Sequence, residues 1–170
     1  MKAQEKAIEH LSFGINLNNN PHLPFNILIF DSGVGGLSIY QALVNKFDPA
    51  DHNNRYCYFA DHQGAPYGDK DDVWLAERLN QLLVKLNDDI TPDLIVVACN
   101  TASTLALDSH REKINKPILG GVPAIKTAAT LARNHNQTQI GLLATPATIA
   151  RPYIDNLTQP FAHELTLHKV

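Results

Sequence analysis

An α/β fold built on a mostly parallel sheet is predicted by three features of this sequence. Short apolar runs alternate about five times with segments of helical spacing. The run Leu94-Ile95-Val96-Val97-Ala98 is continuously apolar, as in a strand buried on both faces. The runs close on small or polar residues that turn the chain into helices, which suits parallel strands joined by right-handed crossovers.

Taken in order, residues 1–24 end in Asn18-Asn19-Asn20-Pro21-His22-Leu23-Pro24, which breaks periodicity and reads as a linker. Asn26 to Phe30 is a first buried strand, stopped by Asp31-Ser32-Gly33, and a helix is expected from about Leu37 to Lys46. Arg55 to Ala60 is an aromatic-rich strand closed by Asp61-His62-Gln63-Gly64. From Asp69 to Asp89, Val73, Ala76, Leu79, Leu82, Leu83 and Leu86 recur on one helical face. Asp69, Asp71 and Asp72 open that helix, where carboxylates meet unpaired N–H groups. Thr91-Pro92-Asp93 stops it before the strand at Leu94. A helix from Thr101 to about Lys113, a strand at Ile118 to Leu119, and a helix opened by Pro123 and running to about Arg133 follow. Ile140 to Ala144 is a further strand, and Pro146 is placed to begin a helix after it.

Composition removes several classes of function. A net charge of −3, with the charged residues scattered along the chain, leaves no basic stripe to neutralise phosphates, so nucleic acid is not an expected partner. The longest apolar stretch, Leu94 to Cys99, falls far short of the roughly 20 residues that span a bilayer, so no membrane partner is expected. Glu5, Glu9 and His10 interrupt the place where a secretory signal carries its apolar segment, which points to the cytoplasm. Two cysteines, Cys57 and Cys99, are too few for a disulfide framework. The eight histidines show no metal-ligand spacing; His62 follows a strand end and reads as a surface loop residue.

In open parallel sheets, ligands bind beyond the carboxyl ends of the strands. Here those ends are Asp31-Ser32, Asp61, Cys99-Asn100-Thr101, Gly120-Gly121 and Thr145. Asp31-Ser32-Gly33-Val34-Gly35-Gly36 has the glycines of a phosphate loop but neither the Lys-Ser/Thr of a Walker loop nor a third dinucleotide glycine, since position 38 is serine. A tight turn needing glycine at positive φ accounts for the glycines, though not for the Asp-Ser pair. Cys99, between a strand and a helix, suits a reactive thiol because the helix dipole favours thiolate there, with Asn100 and Thr101 placed to cap the helix or hold a carboxylate. Position alone equally allows a buried structural cysteine. Cys57, between Tyr56 and Tyr58, reads as core. Cys-His or Ser-His hydrolase chemistry has no local signature behind it.

Five segments in this order resemble the cofactor-independent glutamate racemases: Phe30 to Leu37, Pro66-Tyr67-Gly68, Ala98-Cys99-Asn100-Thr101-Ala102-Ser103, Gly121-Val122-Pro123-Ala124-Ile125-Lys126, and Gly141 to Thr148. The resemblance runs from about Asn26 to the end of the chain. It implies interconversion of L- and D-glutamate to supply peptidoglycan, with no pyridoxal phosphate, metal or nucleotide as cofactor. Cys99 would be one catalytic acid and base, and Asp31 would assist proton transfer. Asp31 and Ser32 would contact the amino-acid end of the substrate, Tyr67 and Gly68 would help hold it, and Asn100 and Thr101 would bind carboxylate oxygen. The resemblance further implies a three-layer parallel-sheet domain at residues 25–121, lacking a returning segment, and an incomplete second α/β domain over 122–170. The family's opposite-face thiol lies in a Gly-Cys-Thr-His segment beyond position 170, so this chain alone is expected to have no racemase activity. A homodimer is one assembly open to the full-length protein. An aspartate or hydantoin racemase, or a non-catalytic module binding a small ligand or nucleotide, are the competing readings.

Overall fold

The computed structural model describes residues 24–47, 54–110 and 113–170; the linker expected over residues 1–24 lies outside them, save Pro24. Strands β1 (Asn26–Asp31), β2 (Arg55–Ala60), β3 (Leu94–Val97) and β4 (Ile118–Gly120) form one sheet in the order β2-β1-β3-β4. Every pairing in it is parallel, with Ile27 opposite both Tyr56 and Leu94, and Val96 opposite Leu119. The intervening helices are α1 (Leu37–Phe47), α2 (Asp72–Ile90) and α3 (Asn100–His110).

Period-two alternation divides the strand side chains between two cores. Ile27, Ile29, Leu94 and Val96 face α1, packing on Leu43 with Ile39 and Tyr40 beside it. Leu28, Phe30, Ile95 and Val97 face the other way, onto Leu75, Leu79 and Leu83 of α2 and Ala102 of α3. The central strands are therefore apolar on both faces, and helix, sheet and helix make three layers.

A second, two-stranded parallel sheet pairs β5 (Gln139–Leu142) with β6 (Thr166–Lys169). Helices α4 (Ile125–Asn134), α5 (Pro146–Ile149) and α6 (Pro152–Thr158) accompany it. Ile125, Leu142 and Ile154 form one small core here, and Ala129, Ala132 and Leu165 another.

Several expected features shift. α2 begins at Asp72; Asp71 is its cap, accepting from the Val73 and Trp74 amides at 2.9 and 3.2 Å, while Asp69 closes a short 3-10 turn at Tyr67–Asp69. Its buried stripe is Leu75-Leu79-Leu83, and Val73 is 67% exposed. The reason is angular: Val73 lies about 200° around the axis from Leu75. Pro123 precedes α4 by two residues and accepts from the Ile125 amide instead of opening the helix. The strand expected to reach Ala144 ends at Leu142. Thr145 then caps α5 through its hydroxyl, and Pro146 begins that helix as its position suggests.

Candidate functional site

The carboxyl ends of β1 and β3 lie side by side because the two strands are sheet neighbours. Asp31, 6% exposed, ends β1 and turns its carboxylate back to accept from the Gly33 amide at 2.7 Å. The Tyr58 hydroxyl, from β2, donates to the Gly33 carbonyl at 2.9 Å and pins the same turn. Burial, then the nearby charges of Asp31 and Cys99, push the Tyr58 phenol up, so it remains a donor at neutral pH.

The last glycine of this turn, Gly36, serves a different purpose from the one the spacing suggests. No described glycine has positive φ. Instead, a β-carbon on Gly36 would sit 2.8 Å from the Ala98 β-carbon and 3.0 Å from that of Asp31. Gly36 thus allows α1 to start directly against the ends of β1 and β3.

Cys99 is 8% exposed and immediately precedes α3. Its sulfur lies 3.5 Å from the Ser32 hydroxyl, across the β1–β3 pair. Its carbonyl accepts from the Ser103 amide at 2.8 Å, and the single Ser103 hydroxyl proton is shared between the Cys99 and Val97 carbonyls, each 2.8 Å from the hydroxyl oxygen. Ser103 therefore holds the strand-to-helix junction from beneath. Asn100 is exposed, and Thr101 is buried with its hydroxyl 3.3 Å from that of Thr145 and 3.5 Å from that of Thr148. Gly121 ends beside this corner: a β-carbon there would approach the Asn100 side-chain oxygen and the Ala98 carbonyl at 3.3 Å.

Tyr67 occupies a place that its motif alone does not reveal. Its ring is 1% exposed, 6.4 Å from the Phe30 ring, and its hydroxyl donates to Asp61 at 2.7 Å. Any contact it makes toward the cleft is by backbone. Gly68, next to it, abuts Thr145 so closely that a β-carbon would sit 2.8 Å from the threonine methyl. Cys57 lies three residues before the end of β2, half-buried against the core shared by α2 and α3, and both cysteines are free thiols. His62 is exposed.

The structure thus gathers Asp31, Ser32, Cys99, Asn100 and Thr101 at the carboxyl end of the two central strands, with Gly68 and Thr145 closing one side. Sequence reasoning missed the roles of Tyr58, Asp61, Arg78, Thr148 and Arg151, whose contacts span many residues of chain. Only the strand-end position of Asp61 and the place of Thr148 in the last motif signalled any of them in advance. Among the described residues no group of three or more His, Cys, Asp or Glu side chains is assembled as metal ligands.

The family model for Asp/Glu/hydantoin racemases matches residues 27–166. A glutamate racemase of Vibrio vulnificus is 47% identical over 139 residues, covering 82% of this chain and 50% of that protein. The one from Aliivibrio fischeri is 44% identical over 140 residues, with 82% and 50% covered. Among solved structures, the Escherichia coli glutamate racemase in complex with L-glutamate and the activator UDP-MurNAc-ala superposes with a TM-score of 0.74 at 40% identity, over 87% of this chain and 53% of that one. The Aquifex pyrophilus glutamate racemase gives 0.67 at 29% identity, over 85% and 54%. The chain spans about half the length of the curated relatives it matches.

Proposed function

The chain belongs to the Asp/Glu/hydantoin racemase family, and on that premise we propose that it supplies the Cys99 side of a glutamate racemase site. The observation that carries this reading is the placement of Cys99 at the β3–α3 junction, its sulfur 3.5 Å from Ser32 and its neighbour strand ending in Asp31. A thiolate here takes the α-proton of glutamate and returns it as a thiol. Asp31 and Ser32 receive the amino-acid end of the substrate. Asn100 and Thr101, opening α3, offer hydrogen bonds to carboxylate oxygen, aided by backbone N–H groups of that first turn. The backbone at Tyr67 and Gly68 holds the substrate from the other side. A thiolate is a weak base for an α-proton, so stabilisation of the developing negative charge by fixed donors in an enclosed site is the larger part of the task.

Racemisation needs a base on one face of the α-carbon and an acid on the other, because a proton returned to the same face restores the starting isomer. Cys57, in mid-strand, does not reach the strand ends where Cys99 stands. We therefore assign the opposite-face group to a part of the whole protein outside these residues, a reading supported by a relative of which the match covers only 50%. The same reading divides the chain near residue 121, supported by the break between the four-stranded and two-stranded sheets. It places the whole protein in the cytoplasm, making D-glutamate for peptidoglycan; no helix among the described residues is long and apolar enough to cross a membrane.

One thiol suffices to exchange the α-hydrogen, whereas two are needed to invert the centre. Glutamate incubated with the protein in heavy water is therefore expected to gain α-deuterium. Cys99→Ala should lower that rate by about 100-fold or more, the scale of a lost acid–base group. Unchanged exchange in the variant would remove Cys99 from the mechanism, and preferential exchange of aspartate would reassign the substrate.

A further inference from the structure

Asp61 anchors a network that proton transfer does not use. Its carboxylate, 3% exposed, accepts from Tyr67 Oη at 2.7 Å, from Arg78 Nε at 2.8 Å, from Arg78 Nη2 at 2.6 Å and from the Gly64 amide at 3.3 Å. An ionised carboxylate is tolerated in such burial only when paired and fully hydrogen-bonded, and the two-pronged guanidinium contact supplies both. Arg78 reaches in from α2, with its other surroundings including the Trp74 ring, whose centroid lies 5.8 Å from Cζ.

The network leads directly to the cleft. Asp61 and Arg78 fix the Tyr67 hydroxyl, and the buried Tyr67 ring fixes its own main chain. Gly68 follows, pressed against Thr145, whose hydroxyl is 3.3 Å from Thr101, two residues beyond Cys99. Apart from one 3-10 turn, residues 61–70 have no regular secondary structure to hold them. We infer that Arg78 is a positioning residue: through Asp61 and Tyr67 it sets the backbone of Pro66-Tyr67-Gly68 against the Cys99 cleft. The fork geometry of its guanidinium, and not its charge alone, does this. The inference rests on the glutamate reading, in which that backbone holds the substrate.

Two mild variants separate positioning from simple support of α2. Arg78→Lys keeps the charge and loses the fork; Tyr67→Phe removes one hydroxyl. Hydrogen exchange is read in the full chain at the Gly64, Ala65 and Lys70 amides, each bonded to a carbonyl of this loop, and at the Leu75 amide of α2 and the Ala98 and Ser103 amides as reference. D-glutamate affinity is read by calorimetry. Both variants are expected to speed loop exchange about tenfold with the reference amides within about twofold, and to weaken D-glutamate about tenfold, since small misplacements of a binding group are costly. Loop exchange unchanged, or raised equally at the reference amides, overturns the inference. So does unaltered D-glutamate affinity in a loosened loop. If the unmodified chain fails to bind D-glutamate, the glutamate reading falls, and the exchange measurement still decides whether Arg78 holds the loop.

Discussion

Asp61 is held as a carboxylate in the interior by opposing effects of known sign. The Arg78 hydrogen bonds keep it below its ordinary value of 3.8, against burial, which pushes upward, with Tyr67 and Gly64 adding to the depression. Burial, then the bond and charge of Asp61, raise the Tyr67 phenol far above its usual range, so that it stays a donor. Because the folded value of Asp61 lies below the unfolded one, the native state binds fewer protons in the window between them. Its stabilisation is complete above the unfolded value and is lost as pH falls through the folded one. Asp61→Asn is therefore expected to lower stability at pH 7 by roughly 1–3 kcal/mol, the cost of disrupting a buried hydrogen-bonded charge. It should also flatten the acid dependence below the ordinary carboxylate range. Thermal midpoints of both proteins at neutral pH and at about pH 3 check the sign; parallel acid profiles would contradict it. At this scale the motif Pro66-Tyr67-Gly68 was legible in the sequence, but the inward direction of the Tyr67 ring was not, because Asp61, earlier in the same loop, and Arg78, on α2, stand 6 and 11 residues away.

Among the elements, α2 shows which positions of an amphipathic helix carry its weight. Leu75, Leu79 and Leu83 are fully buried beneath the sheet, whereas Val73 is exposed in the first turn. Leu79→Ala should cost about 2–5 kcal/mol through lost burial and a residual cavity. Val73→Ser should stay within about 0.5 kcal/mol. Urea unfolding of the two variants measures the contrast, and equal losses would mean that the helix packs through another face. The periodicity of the sequence revealed this helix and most strands, since alternation and three-to-four spacing are local properties. It did not reveal β6, where only Leu167 among Thr166, Leu167, His168 and Lys169 is a large apolar residue, or α6, which is short. Such edge elements are specified by the neighbour they pair with.

For the whole molecule, polar side chains link the helices beside the two sheets. Arg151, 4% exposed, donates to the Ala147 carbonyl at 3.2 Å and to Asp72, at the start of α2, at 2.8 Å. Beside it the hydroxyls of Thr101, Thr145 and Thr148 lie within 3.0–3.5 Å of one another. Arg151→Met should cost about 1–3 kcal/mol by leaving the Ala147 carbonyl without this donor. Asp72→Asn, whose side chain is 62% exposed, should cost about 1 kcal/mol or less. Unfolding midpoints decide the order, and a larger loss for Asp72→Asn would place the strength of the link on the exposed partner. The sequence by itself determined the α/β class, the parallel order of strand and helix, and the family, because apolar periodicity and the five ordered motifs are written along the chain. It also put Asp31 and Cys99 at strand ends. The tertiary structure alone decided that these ends are neighbours, that Ser32 faces the Cys99 sulfur, that Gly36 serves close packing, and that Tyr67 turns inward to Asp61 and Arg78. Those outcomes depend on strand order and on contacts between residues far apart in sequence, which no local pattern encodes.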